Sequence, residues 1–161
     1  MKEFEKIRMS EGRLGKLVVM RLGPGCDVMK SLEESVRQRN FRSGVILSGA
    51  GSLSQVMLRN VRLFPDEFPI TDRNRIYTPK KEPLEVLSLT GNIANKDGQV
   101  HMHCHITISS GLEEGRAYGG HLLEGCIVLS YCEIVLAEIL DVEMKRNIDP
   151  ETQALELYFE S

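Results

Sequence analysis

The sequence predicts an α+β fold, mainly an antiparallel β-sheet with one main helix after the first strand. Three observations carry this expectation. Apolar and polar residues alternate with period two through much of the chain, most regularly in Val100–Ser109. One stretch, 27–39, sets apolar residues at helical spacing (Val28, Leu32 and Val36) behind Asp27, a good N-cap. The helix-alternating-with-strand rhythm of a parallel sheet is not seen. The 161 residues fit one domain spanning 1–161, and a domain of that size buries roughly 70% of its unfolded surface. Hydrophobic residues make up 42% and charged residues 27%, which excludes a disordered chain or a coiled coil. With no Trp and 6% aromatics, the core must rest on Val, Ile, Leu and Met.

Each element has its own signal. Residues 14–22 are apolar and rich in β-branched side chains, a strand ended by the turn Gly23-Pro24-Gly25. The helix over 27–39 turns Lys30, Glu33, Glu34, Arg37 and Gln38 to solvent. Residues 43–51 read as a short buried strand ending in glycines, and 53–64 as a second strand with one exposed face. Four prolines (65, 69, 79 and 83) make 65–83 a long loop with at most a short strand near Ile76 and Tyr77. Residues 84–94 alternate as a half-buried strand, and Asn95-Lys96-Asp97-Gly98 is a hairpin turn. A loop containing glycine and glutamate follows the next strand and leads into Tyr118–Gly125. Residues 126–141 read as a long strand, with a helix as the competing reading. The tail LELYFE is a candidate edge strand.

The strand over 100–109 carries the chemistry. Val100, Met102, Cys104, Ile106 and Ile108 fall on one face, and His101, His103, His105, Thr107 and Ser109 on the other. Alternate residues of a strand lie roughly 6.5–7 Å apart, so two imidazoles of this row can converge on one ion. His121 is the remaining histidine and sits in what reads as a glycine-flanked turn after Gly119 and Gly120. Three imidazoles leave a fourth position for water or substrate, the pattern of a catalytic rather than a closed structural zinc. Imidazole also suits nickel, copper, iron or cobalt; availability favours zinc. Glu124 is a candidate fourth ligand, partner of a ligand or general base. The plain alternative is a polar solvent face. Cys104, on the apolar side, is expected in the core, as are Cys126 and Cys132.

Four cysteines without C-x-x-C spacing imply free thiols and a reducing, cytoplasmic compartment. The amino-terminal segment lacks the apolar run of a secretory signal, and no stretch approaches the ~18 residues of a membrane span. The net charge of −3 argues against tight sequence-independent DNA binding. Arg37, Arg39 and Arg42, and the group Arg59, Arg62, Arg73, Arg75, Lys80 and Lys81, read as solvated surface charge.

With these residues in place, the chain resembles the plants-and-prokaryotes conserved domain, known as PPC or DUF296. The match rests on Arg21-Leu22-Gly23-Pro24-Gly25 running into Asp27, on Ser48-Gly49-Ala50-Gly51-Ser52-Leu53, on the H-x-H strand, and on Gly119-Gly120-His121-Leu122-Leu123-Glu124-Gly125. It spans roughly residues 10–145 in order, and the last motif is the most specific. The resemblance implies a homotrimer with a histidine cluster able to hold a metal near a subunit interface. It also implies the free-standing prokaryotic type, described as predicted DNA-binding or regulatory proteins. The AT-hook core R-G-R-P of the plant members is absent from this sequence. The family has one H-x-H. Spacing to His121 carries that motif onto His103 and His105, with His101 as alternative ligand. A second class of function is a small zinc enzyme with an open three-histidine site, distantly similar to acetolactate decarboxylase, in which Glu124 or Arg21 would assist. A third is an oligomeric scaffold without catalysis.

Overall fold

A computed structural model describes residues 7–160; residues 1–6, part of the segment read above as lacking a signal, lie outside the described residues. The elements are β1 (Arg13–Leu22), α1 (Val28–Gln38), β2 (Gly44–Val61), β3 (Arg75–Lys80), β4 (Leu84–Lys96), β5 (Gln99–Ser110), β6 (Arg116–Leu122), β7 (Ile127–Leu140), β8 (Glu143–Ile148) and β9 (Leu155–Glu160). This is the expected α+β arrangement, one helix after the first strand and a sheet for the rest.

The helix begins where the sequence places its cap. Asp27 Oδ1 accepts from the Lys30 backbone N at 3.2 Å, satisfying a helix-terminal N–H that has no partner within the helix. Its other oxygen accepts from Gly125 N at 2.7 Å, so the cap also holds the turn after β6. Val28, Met29, Leu32 and Val36 are buried, and α1 packs on β5. The inward residues of β5, namely Met102, Cys104, Ile106 and Ile108, belong to the same core.

The sheet runs β1-β7-β2-β6-β5-β4-β8-β9, with β3 also on β2. Strand β2 pairs with β4 over Gly44–Leu53 and with β6 at Leu58 and Arg59. Since β4, β5 and β6 are themselves paired in succession, these four strands close into a ring. The two strands expected over 43–51 and 53–64 are one strand of 18 residues. Gly51 bends the chain without ending it: its φ is +147°, and a Cβ there would lie 2.3 Å from the Tyr131 carbonyl oxygen. Residues 127–140 are a strand and not the competing helix, because β1 and β2 pair with them on either side.

The segment 65–83 is irregular apart from a short 3-10 turn at Asp72–Asn74 and strand β3, which forms at Ile76 and Tyr77. The carboxy-terminal hairpin goes beyond the sequence reading. Strand β9 is the expected edge strand, whereas β8 is too short and polar to announce itself. Ser43 anchors β8 by accepting from Met144 N at 2.8 Å in the interior. No helix among the described residues is long and apolar enough to cross a membrane. The four cysteines are free, with Cys104, Cys126 and Cys132 buried.

Close approach of β4 and β5 depends on Gly91. A Cβ at this position would lie 2.5 Å from the His103 carbonyl oxygen and 2.9 Å from Cys104 Cα, both backbone atoms that cannot step aside. Gly91→Ala should therefore destabilise the protein by about 1–3 kcal/mol, measured by urea unfolding. A midpoint equal to that of the unaltered protein would refute this account of the β4–β5 contact.

Candidate metal centre

Strand parity and register assemble the histidines. On β5 the apolar residues 102, 104, 106 and 108 are buried, which turns His101, His103 and His105 to the opposite face. Register then supplies the second strand: His105 pairs with His121 on β6, His121 with Arg59 on β2, and His105 with Thr90 on β4. Arg59, His121, His105 and Thr90 thus form one row across four strands. His121 is in strand β6 and not in the glycine-flanked turn read from the sequence. The glycines before it serve close packing. Asn60 Nδ2 donates to the Gly119 carbonyl at 2.9 Å, and a Cβ on Gly120 would lie 2.7 Å from that Nδ2.

One ring nitrogen from each of His103, His105 and His121 lies within 4.8 Å of the other two. Nε2 of His103 and Nε2 of His105 are 3.1 Å apart. Ring centroids are separated by 4.9–5.4 Å. Two ligands about 2.0–2.1 Å from a tetrahedral zinc stand ~3.3 Å from each other. The closest pair matches that separation and the wider group requires small side-chain adjustments. The donor set therefore fits a divalent ion such as zinc.

His101 is not in this group. It lines the same cleft, and its Nδ1 is buried without a hydrogen-bond partner. Glu124 is placed elsewhere. Strand β6 ends at Leu122, the chain turns towards the helix under the hold of Asp27, and the Glu124 carboxylate pairs with Lys30 at 3.1 Å. Arg21 also lies away from the cleft, with its guanidinium carbon 4.7 Å from the centre of the Tyr131 ring.

The three imidazoles open into a cleft of about 520 Å³. Arg59, Arg75 and Arg146 line it, together with Leu155 and Glu156 from the carboxy-terminal hairpin. Arg59 and Arg75 were read as solvated charge; both line the cleft and are only partly exposed. Arg146 was not singled out at all. It shares strand parity with buried Met144 on β8, which was the available signal.

Burial, reinforced by nearby arginine and histidine, pushes His103 and His121 down to about 4. Both rings are consequently neutral at physiological pH, the state in which an imidazole nitrogen can ligate. His103 and His121 thus resist positive charge, and with His105 they bring three ring nitrogens close together.

The model of the Plants and Prokaryotes Conserved (PCC) domain matches residues 9–140. A "Bifunctional protein GlmU" from Synechococcus sp. (strain JA-3-3Ab) is 38% identical over 141 residues, 88% of this chain. The chain spans about a fifth, 20%, of that relative's length. Among solved structures, a plant- and prokaryote-conserved protein from Pyrococcus horikoshii superposes with a TM-score of 0.75 at 26% identity, covering 92% of this chain and 96% of that one. The metal-containing protein AF0104 from Archaeoglobus fulgidus has the same fold, with a TM-score of 0.77 at 24% identity and coverage of 94% and 99%.

The depressed histidines fix how stability depends on pH. In the unfolded chain each ring takes its proton near pH 6.5, whereas the folded protein holds it off until about 4. Between these values the unfolded state binds more protons, so metal-free protein should keep full stability above pH ~6.5 and lose it as pH falls towards 4. Urea unfolding of chelator-treated protein across that window should show the decline. A His103→Asn, His121→Asn double variant should show a flatter profile, and an equally steep one would assign the decline to other groups.

Proposed function

The chain belongs to the PCC domain family, and from that premise we propose that it is a homotrimeric protein holding one divalent ion, zinc, on His103, His105 and His121. The observation that carries this is the convergence of three ring nitrogens within 4.8 Å on one face of the sheet. Three imidazoles would leave a further coordination position for water or substrate. Held there, such an ion would supply Lewis-acid chemistry, polarising a carbonyl or lowering the pKa of a bound water. The chain's own residues set the rest: β5 and β6 fix the ligand positions, Asn60 buttresses the strand before His121, and the arginines make the cleft cationic.

The trimer is supported by what the sheet leaves uncovered. Strand β1 lies at one end of the strand order and exposes Leu17 and Val19, and Leu47, Leu87, Leu129 and Tyr131 are exposed on neighbouring strands. An unpaired edge beside apolar surface favours burial against further copies. Four unpaired cysteines are in keeping with a reducing, cytoplasmic location.

Catalysis is the second reading, and the observation favouring it is the cleft itself, in which polar and charged groups converge around the three imidazoles. We rank DNA contact below both. The net charge is −3, and two arginines of the largest basic cluster face the histidines. A scaffold without catalysis would hold the ion for stability alone and would show no turnover.

Elemental mass spectrometry on untagged protein should find about one zinc per chain, lost in a His103→Ala, His121→Ala variant. Protein that stays empty after incubation with zinc would overturn the metal reading. Light scattering coupled to gel filtration should give three chains per particle, and Val19→Asp, which sets a charge on the exposed β1 face, should shift the mass towards one chain. An unchanged mass would remove β1 from the interface.

A further inference from the structure

We propose that the cleft above the histidines is a receptor for a small oxyanion, carboxylate or phosphate, gripped by Arg146 and Arg59 beside the metal position. This rests on the metal reading for the second point of attachment, and on the arginines for the first.

Arg146 is the observation that demands a guest. It is 3% exposed, yet it makes no ion pair with any described residue. One terminal nitrogen donates to Asn92 Oδ1 at 2.6 Å, while its Nε has no hydrogen-bond partner. A guanidinium is always charged at physiological pH, and burying it without a counter-charge is strongly unfavourable. Burial works against its charged form, and the Glu156 carboxylate, beyond ion-pair distance, is the one described charge that favours it. Asn92 pairs with His103 across β4 and β5, so the residue that steadies Arg146 adjoins a ligand of the candidate ion. The second buried polar atom without a partner on the wall of this cleft is His101 Nδ1.

Arg59 lines the same cleft as Arg146. It stands opposite His121 in the strand register and also makes no ion pair with a described residue. Arg75 lines the cleft too, but already holds Asp72 at 3.2 Å. Against these three cations the lining offers one carboxylate, Glu156, which accepts from Thr152 at 3.5 Å. The cavity of about 520 Å³ falls in the usual range for small-molecule sites. Guanidinium forks match the paired oxygens of carboxylate or phosphate. A ligand with an oxyanion at one end and an oxygen donor at the other could span the arginines and the ion.

The test is calorimetric titration of zinc-loaded, desalted protein with inorganic phosphate and, separately, with succinate, repeated on chelator-treated protein. Zinc content is read on the same samples. Saturable binding of at least one anion is expected, weakened about tenfold or more in Arg59→Gln and in Arg146→Met. Phosphate alone or succinate alone would identify the favoured oxyanion. Arg59 is only partly buried, so Arg59→Gln decides the matter should Arg146→Met fail to fold. Absence of binding by either anion at millimolar concentration, or binding undiminished in Arg59→Gln, would overturn the proposal. Zinc bound without any anion removes the receptor and leaves the metal reading. Zinc-incubated protein that holds no zinc, yet still binds the anion in an Arg59→Gln-sensitive way, removes the metal reading and leaves the receptor.

Discussion

Hydrogen bonding between β5 and β6 sets His105 opposite His121, and a slip of one residue would turn one of the two rings into the core. That register is itself held from both sides. On β5 the buried set Met102, Cys104, Ile106 and Ile108 forbids a slip, because each would exchange places with a polar neighbour. On β6 the glycine pair lets β5 and the Asn60 side chain of β2 approach closely, which a side chain there would prevent. The candidate site is thus a by-product of core packing on the other face of the same strand.

Half of the site was legible because it is local. His103 and His105 are two residues apart, and strand parity is a property of the sequence alone. The partner strand was less so. Gly119-Gly120 reads as a turn by composition, and only pairing with β5 and β2 makes it a strand. The same competition explains 127–140, where the lateral pairing that decides between strand and helix is long-range. Bulges explain β2, whose glycines read as an ending although they are a bend. Arg146 is a different failure. Its parity with Met144 pointed inward, but a charged residue in a short polar segment is ordinarily taken as surface.

Local rules also misplaced Glu124. It follows His121 by three residues, so proximity in sequence suggested proximity in space. The Asp27 carboxylate, however, draws residues 123–125 towards the helix, and Glu124 pairs with Lys30. The polar groups that surround the histidines come instead from β2, β3 and β8, distant along the chain. The cleft concentrates arginine cations beside the histidines, an arrangement that a negatively charged guest would offset. Any guest that binds only the folded state repays this by mass action.

The double duty of Asp27 has a dynamic side. One oxygen closes the first turn of α1 and the other fastens the loop leaving β6, while Val28 N donates to the Cys126 carbonyl at 2.9 Å. The start of the helix and the end of the His121 strand therefore cannot fray independently. Loosening either contact weakens the hold of Asp27 on the other, so the two segments are coupled. Motion of the helix end would be felt at the histidines although no helical residue lines the cleft.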